Sequence, residues 1–263
     1  LEEGEIASRL GTGRMGNNLI CLPSTGSTNV DAKKAAEEGA AEGTLVVTDC
    51  QEAGRGRRGR AWSSPAGCNI YFTLLLRPPC RPEQACMLTL VMALAVAKAV
   101  RELGLDAGIK WPNDIVLSGK KVCGILTEMS AETDYIHYVV IGTGINVNQE
   151  EFPEEIGKTA TSLKREKGEG VARATLLASI IGHFERAYEV FSASWDLRSL
   201  LPAYQELLLN KDRPVRVLDP GGEFQGTARG INESGELLVE REDGTLEAVY
   251  AGEVSVRGIY GYV

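Results

Sequence analysis

The first 209 positions mix the hydrophobic periods that are typical of helices and of strands. A nearly all-apolar stretch at residues 82–103 predicts a long helix buried in the centre of a domain. Capping residues and apolar spacing predict four further helices, at residues 5–10, 28–38, 172–191 and 194–208. Short β-branched and aromatic runs predict strands at residues 44–48, 69–76, 109–111, 114–117, 121–129 and 135–147.

The pattern changes near residue 210. Five short strand-like segments follow, separated by glycine-containing turns, at residues 215–218, 226–232, 236–240, 245–250 and 254–257. This spacing predicts a small barrel of about 50 residues. We therefore expect an N-terminal linker or remnant at 1–20, an α/β domain at 21–209 and a β domain at 210–263.

Composition narrows the class of protein. Apolar residues make up 43% and charged residues 24% of the 263 positions, which is typical of a globular fold and excludes disorder. The longest apolar region, 85–100, is interrupted by Thr89 and Lys98 and is too short to cross a bilayer. No signal-peptide pattern precedes it, and none of the six cysteines forms a C-x-x-C pair. We expect a cytoplasmic protein with reduced thiols and no membrane partner.

Charge is distributed unevenly along the chain. The net charge of −8 argues against general nucleic-acid binding. Residues 53–82, however, contain no acidic residue and six arginines, Arg55, Arg57, Arg58, Arg60, Arg77 and Arg81. A basic island in an acidic chain favours a site for a small anion.

The arginine-rich segment from Gly54 to Arg60 reads G-R-G-R-R-G-R. It matches the dinucleotide motif G-x-G-x-x-G, but the residues after it are a poor helix start, and that motif needs a helix N-terminus. Glycines allow close backbone approach, and guanidinium groups bind carboxylate and phosphate oxygens. We interpret the segment as a loop that closes over an anion.

Two further clusters carry polar groups on predicted strands. The first runs from Lys110 to Asp114 and continues to Lys121 and Gly124. Asp114 and Lys121 fall on adjacent antiparallel strands, where facing side chains are close enough to share a substrate, and Gly124 leaves room against the sheet. The second cluster, residues 142–148, ends a strand with glycines and an asparagine that can bind a base edge, and is a weak signal alone.

Together these segments resemble the biotin protein ligases. The matching residues are Ser27, Thr28, Asn29, Gln51, the loop from Gly54 to Arg60, the Lys-Trp-Pro-Asn-Asp segment from Lys110 to Asp114, Lys121, Gly124, Gly142, Gly144 and Asn146. The resemblance covers the chain from about residue 20 onward. It implies an α/β (α+β) fold in which a mixed β-sheet catalytic domain, similar to class II aminoacyl-tRNA synthetases, carries packed helices and is followed by a small SH3-like β-barrel.

The resemblance also implies roles. The family forms biotinyl-5′-adenylate from biotin and ATP with Mg²⁺, then transfers biotin to one lysine of a biotin carboxyl carrier protein domain. The residues implied for biotin are Ser27, Thr28, Asn29, Gln51, Arg55, Arg57, Lys121 and Gly124. Those implied for ATP are Arg55, Arg57, Arg60, Trp62, Asn113, Lys121, Asn146 and Arg257. Catalysis is assigned to Lys121, Arg57 and Asp114.

Several alternatives stay open. A lipoate or octanoate ligase or transferase has a related fold, but the polar set of Ser27, Thr28 and Gln51 favours a polar ring over an alkyl tail. Residues 1–19 resemble the linker of biotin-responsive repressors, whose recognition helix we do not find, so we expect no specific DNA binding. A homodimer is left open. No metal ligands are assigned, and His137 and His183 are interpreted as structural.

Overall fold

The computed structural model describes residues 1–219, 222–251 and 255–258. Within these ranges the chain forms two β-sheets and eight α-helices. The predicted strand at residues 254–257 begins at a position outside the described residues.

The first sheet has seven strands in the order β1-β2-β3-β7-β6-β5-β4. Strand β1 pairs with β2 in parallel, and the other neighbours are antiparallel, so the sheet is mixed and the predicted α/β class is confirmed. The strands are β1 Leu19–Leu22, β2 Leu45–Thr48, β3 Ile70–Leu76, β4 Gly108–Lys110, β5 Asp114–Leu117, β6 Lys120–Ala131 and β7 Ile136–Ile145.

The helices pack on this sheet and on one another. They are α1 Glu3–Ala7, α2 Thr28–Glu37, α3 Pro82–Ala85, α4 Leu88–Arg101, α5 Glu154–Gly157, α6 Leu163–Lys167, α7 Arg173–Ser192 and α8 Leu201–Leu207. Helix α4 is buried along nearly all of its length and packs against α7, which buries its own apolar stripe there. The main core therefore lies between these two helices and the sheet.

The helical segment Pro82–Arg101 is 20 residues long and, by length and composition alone, could cross a membrane. The length argument made from the sequence was therefore wrong. Its side chains are instead largely buried inside the protein, as expected for a core helix.

The second sheet has five antiparallel strands in the order β11-β10-β9-β8-β12. They are β8 Arg213–Asp219, β9 Gly222–Ile231, β10 Leu237–Glu240, β11 Leu246–Val249 and β12 Ser255–Gly258. The sheet docks on the first through the Trp111 indole, which donates to the carbonyl of Gly235 at 3.0 Å. At the predicted domain boundary, the Leu209 N–H donates to the Ile109 carbonyl, and the Trp111 N–H donates to Oδ1 of Asn210.

Three predicted elements differ from the structure. The helix at 82–103 is divided into α3 and α4 around Met87. The helix predicted at 194–208 is wrong in its first half: Trp195 has a left-handed φ of 55°, and α8 begins beside Pro202, which suits a first turn because it has no N–H to donate. The strand at 109–111 ends at Lys110, since Trp111 and Pro112 form the turn into β5.

Four short elements were not predicted. They are β1, α5, α6 and a 3₁₀ turn at Arg57–Gly59. Each has five residues or fewer, which is too few to establish a hydrophobic period. These elements form because contacts with other parts of the chain stabilise them.

Candidate functional site

The N-terminus of α2 forms one wall of a small pocket. Ser27 occupies the N-cap position and is buried, but its side chain makes no capping hydrogen bond. The Thr28 N–H donates to Oε1 of Gln51 at 3.0 Å, and the Thr28 hydroxyl lies 3.2 Å from the same oxygen. The Gln51 amide in turn donates to the Ser64 hydroxyl at 3.0 Å, which fixes the orientation of the amide.

Asn29 lies deeper in the same wall. Its Oδ1 accepts from the Thr73 hydroxyl at 2.7 Å, and its Nδ2 donates to Glu128 at 2.7 Å. The Thr73 hydroxyl also lies 2.8 Å from that of Thr28. The polar groups of the wall therefore form one connected, buried network, which holds the pocket in a single shape.

Three glycines of the two clusters leave space for the Asn29 and Trp62 side chains. An added Cβ at Gly142 would overlap the Asn29 amide, and one at Gly144 would overlap the Trp62 indole. At Gly124 a Cβ would lie 3.0 Å from Cζ3 of Trp62. We predicted that Gly124 leaves space for a ligand; Trp62 fills part of that space.

Lys121 and Asp114 meet as the strand pattern predicted. The Lys121 ammonium lies 2.7 Å from Oδ1 of Asp114, and a bulge between Ile115 and Val116 sets the register of β5 against β6. The Lys121 ammonium also lies 5.2 Å from the centroid of the Trp62 ring, within cation–π range. The Lys121 backbone is held by the loop after α5, pairing with Thr159 and Thr161.

The arginine loop crosses the mouth of the pocket. Arg57 donates to Oδ1 of Asn113 at 3.0 Å and to the carbonyl of Ala251 at 2.6 Å, so it joins the loop to the turn before β5 and to the segment after β11. Burial lowers the pKa of Arg57, against the opposing effect of Asp114. Arg58 takes a left-handed φ of 58° within the 3₁₀ turn, and its charge lowers the pKa of Arg57 further.

A large cavity of about 900 Å³ lies on the other side of Trp62. It is strongly cationic: its described lining includes Arg57, Arg58, Arg60, Lys110, Lys121, Arg216 and Arg257. Asp114 is the single carboxylate among the described lining residues. Such a cavity binds polyanions of nucleotide size.

The pocket and the cavity share a border. Gly56, Arg57, Trp62, Asn113 and Lys121 line both. A ligand in the pocket and a second one in the cavity would therefore meet beside the Lys121 ammonium and the Arg57 guanidinium.

The structure places the residues implied by the resemblance in these two spaces. Ser27, Thr28, Asn29, Gln51, Arg55 and Gly124 line the small pocket, and Arg60, Asp114, Asn146 and Arg257 line the large cavity. The Asn146 amide already donates to the carbonyl of Thr161 at 3.1 Å, which leaves its oxygen for a base edge.

Sequence reasoning missed several lining residues. Thr143 lines the small pocket with a buried hydroxyl that has no partner among the described atoms. Lys110 and Arg58 stood inside the quoted motifs without a role, and Arg216 and Gln225 come from the second sheet. Thr143, Lys110 and Arg58 lie within the motifs and could have been proposed from them. Arg216 and Gln225 lie on β8 and β9, where no motif marks a binding residue.

Among the described residues, no group of three or more His, Cys, Asp or Glu side chains could hold a metal ion. His137 pairs with Glu132 at 3.3 Å, and His183 with Glu102 at 2.8 Å. These ion-pair contacts suit the structural roles expected of both histidines.

Comparison with known proteins gives matches along both parts of the chain. The sequence profile of the biotin/lipoate A/B protein ligase family matches residues 20–146, and that of the biotin protein ligase C-terminal domain matches residues 212–257. The chain is 39% identical to the bifunctional ligase/repressor BirA of Bacillus subtilis, over 97% of this chain and 79% of that protein. It is 34% identical to the biotin–[acetyl-CoA-carboxylase] ligase of Mycobacterium tuberculosis, over 97% of this chain and 95% of that protein.

The fold is also that of a solved relative. The biotin protein ligase from Aquifex aeolicus in complex with biotin and ATP superposes with a TM-score of 0.80 at 32% identity, covering 92% of this chain and 99% of that one. Two family profiles in the expected order, relatives matched over nearly all of this chain, and a shared fold agree. The chain belongs to the biotin/lipoate A/B protein ligase family, among its biotin protein ligases.

Proposed function

We propose that the protein is an ATP-dependent biotin protein ligase, which forms biotinyl-5′-adenylate and transfers biotin to a lysine of a carrier protein domain. The observation that carries this proposal is the border between the small pocket and the large cavity, where Lys121 and Arg57 face both spaces. A ligase that joins a carboxylate to the α-phosphate of ATP needs cationic groups at that junction.

The small pocket receives the biotin ring. The ureido group offers two N–H donors and one carbonyl acceptor, and the wall of Ser27, Thr28 and Gln51 presents matching hydroxyl and amide groups. Asn29 fixes the base of the wall, and the glycine at 124 and Arg55 lie where the valeryl chain leaves the ring.

The large cavity receives ATP with its Mg²⁺. Arg60 and Arg257 attract the triphosphate, while Trp62 and Asn146 contact the adenine or the acyl chain at the border. Magnesium enters on the triphosphate as part of the substrate, and the phosphate oxygens supply its ligands.

Lys121 stabilises the charge that develops as the biotin carboxylate attacks the α-phosphorus and pyrophosphate leaves. Asn113 holds the Arg57 guanidinium, which then binds the phosphate of the retained adenylate. Asp114 orients the ammonium group of the incoming carrier lysine.

The family name covers both biotin and lipoate, so the substrate is the point to test. Pyrophosphate release should depend on biotin and MgATP, and lipoate or octanoate should not replace biotin. Labelled biotin should then move to a carrier domain and not to the same domain with its acceptor lysine changed to arginine. Equal turnover with lipoate would overturn the biotin assignment.

The same proposal leads to expectations for the protein partner, the cellular location and the oligomeric state. The partner is a biotin carboxyl carrier protein domain, and a chain with net charge −8 is not expected to bind DNA specifically. The six cysteines are all free thiols, which supports a cytoplasmic location. Sedimentation with and without biotin and MgATP would distinguish a monomer from a homodimer.

A further inference from the structure

Thr161 has no role in the function proposed above, yet its backbone contacts two residues of the candidate site. Its N–H donates to the Lys121 carbonyl at 2.9 Å, and its carbonyl accepts from the side-chain amide of Asn146 at 3.1 Å. Only 2% of Thr161 is exposed to solvent. The residue therefore connects the lysine at the border of the two spaces with the asparagine on the wall of the large cavity.

The contact with Thr161 fixes which way the Asn146 amide faces. A backbone carbonyl can only accept, so the amino end of the amide must point to Thr161 and the amide oxygen must lie on the other branch. The Asn146 backbone is held as well, because its N–H donates to Val122 at 2.8 Å and its carbonyl accepts from Leu163 at 3.0 Å. With the backbone fixed, the orientation of the amide depends on the position of the Thr161 carbonyl.

That carbonyl belongs to the peptide bond at the start of α6, and side chains hold this end of the helix. The Ser162 hydroxyl caps the helix by accepting from the Arg165 N–H at 3.3 Å. The Thr161 hydroxyl donates to Oε1 of Glu166 at 2.6 Å, and Oε2 of Glu166 accepts from the Ser118 hydroxyl at 2.6 Å. A helix of five residues is too short to be stable alone, so its first turn depends on such bonds.

The oxygen of the Asn146 amide suits one class of purine base. Adenine carries an amino group at C6, which donates a hydrogen bond, whereas a 6-oxo purine such as guanine carries a carbonyl there, which accepts. An amide oxygen that faces the base therefore accepts from adenine and opposes a 6-oxo purine, since two acceptors have no proton to share. If the amide turned over, this preference would reverse.

We propose that Thr161 is a positioning residue for nucleotide selectivity, an assignment that rests on the proposed ligase function. Its hydroxyl, bound to Glu166, keeps the first turn of α6 in place, and its carbonyl holds the amino end of the Asn146 amide. The Asn146 oxygen then accepts from the amino group of adenine. Selectivity for ATP over a 6-oxo purine nucleotide thus depends on a buried hydroxyl that acts through Asn146.

The test compares ATP with inosine triphosphate, which carries a carbonyl in place of the 6-amino group. Pyrophosphate release with biotin and Mg²⁺ gives kcat/KM for each nucleotide. Thr161→Val keeps the side-chain shape and removes the hydroxyl, so we expect the ratio of kcat/KM for ATP to that for inosine triphosphate to fall about 10-fold, as for one lost hydrogen bond. The biotin KM should stay nearly unchanged, because Thr161 contacts residues of the large cavity and the ring pocket lies beyond Trp62.

Two variants distinguish positioning from a general loss of stability. Thr161→Ser restores the hydroxyl and should restore the selectivity ratio. Thr44→Val, just before β2, removes another fully buried hydroxyl, which donates to the Ala41 carbonyl at 2.7 Å. This control should lower the free energy of unfolding but leave the selectivity ratio unchanged.

Glu166→Ala removes the same hydrogen bond from its other end. It should reduce the selectivity ratio at least as much as Thr161→Val does. The double variant should be no worse than Glu166→Ala alone, since both changes act through one contact. Glu166→Ala also gives the decision if Thr161→Val does not fold, because Glu166 is only half-buried.

Each outcome supports the assignment or overturns it. A wild-type selectivity ratio in Thr161→Val, or additive effects of Thr161→Val and Glu166→Ala, would show that Thr161 does not position Asn146. Equal use of the two nucleotides by the wild-type protein would also overturn the assignment. Failure of the ligase proposal is recognised separately, because then the wild-type protein releases no pyrophosphate with biotin and either nucleotide.

Discussion

The small pocket and the large cavity differ in how they treat polar groups. In the small pocket, Thr28 hydrogen-bonds Gln51 directly and is linked to Asn29 through the Thr73 hydroxyl. Thr28 and Asn29 are buried and Gln51 is half-buried, which leaves few groups to reorganise. In the large cavity, seven cationic side chains face one carboxylate among the described lining residues. The first arrangement suits a neutral polar ring, which it could bind by shape and hydrogen bonds, and the second suits a ligand with negative charge.

Because the two spaces differ in this way, we expect variants in the small pocket to affect binding and variants in the large cavity to affect catalysis. A satisfied network contributes equally to substrate and transition state, so its loss should appear in KM. Cations beside the reacting phosphate contribute more as charge develops, so their loss should appear in kcat. The border residues Lys121 and Arg57 belong to both spaces, and variants there test the separation most strongly.

Lys121→Ala should have the largest effect. Its ammonium pairs with Asp114 at 2.7 Å and faces the site of phosphoryl transfer, so kcat for adenylate formation should fall about 100-fold or more. Biotin binding, measured by calorimetry, should change little by comparison. Lys120→Ala, one residue earlier, is the control. A near-normal kcat with only a raised biotin KM would make Lys121 a binding residue.

Arg57→Gly should release the intermediate. In the proposed function the guanidinium is the forked partner of the adenylate phosphate, and loss of such a charged hydrogen bond costs about 2 kcal/mol, or about 30-fold in retention. Biotinylation of bystander proteins should therefore rise. The exposed Arg9→Gly variant is the control. If Arg57→Gly labels only the carrier domain, Arg57 does not hold the intermediate.

Thr28→Val should act on the small pocket alone. The change removes the hydroxyl that contacts both Gln51 and Thr73 while keeping the side-chain shape. We expect the biotin KM to rise about 10-fold with kcat nearly unchanged, as for one lost buried hydrogen bond. Thr133→Val, at the exposed tip between β6 and β7, should behave like the wild type. A drop in kcat instead would break the separation of the two spaces.

Glu128→Gln should have the smallest effect. Hydrogen bonds from Lys33 and Asn29 lower the pKa of Glu128, outweighing burial, which acts in the opposite direction. Because the folded-state pKa is depressed, this stabilisation is present above the unfolded pKa of about 4.3 and is lost as pH falls through the folded value. The variant should lose about 0.5 kcal/mol of unfolding free energy at pH 7.

Urea unfolding at several pH values measures this loss of unfolding free energy. The difference between Glu128→Gln and the wild type should shrink as the pH falls below about 4, where the wild-type carboxyl is also neutral. A difference that stays constant with pH would show that the ion pair with Lys33 does not contribute.

The long elements could be predicted from the sequence, and the short ones could not. Strand β3 and helix α7 have enough apolar positions to show their period, and both were predicted within a few residues. Strand β1 has four residues, and the strand with which it pairs, β2, begins 26 positions after β1 does. The helix predicted at 194–208 failed because a left-handed residue and a proline override an apolar pattern.

The candidate site divides in the same way. The sequence by itself determined the chemical types: an arginine loop, a lysine and an aspartate on adjacent strands, and glycines where space was needed. Only the tertiary structure decided that Gly144 makes room for Trp62, that Arg57 reaches Ala251 after β11, and that Arg216 lines the cavity. It also decided that Lys110 is buried in the cavity wall, because the burial of a side chain depends on residues far apart in the chain.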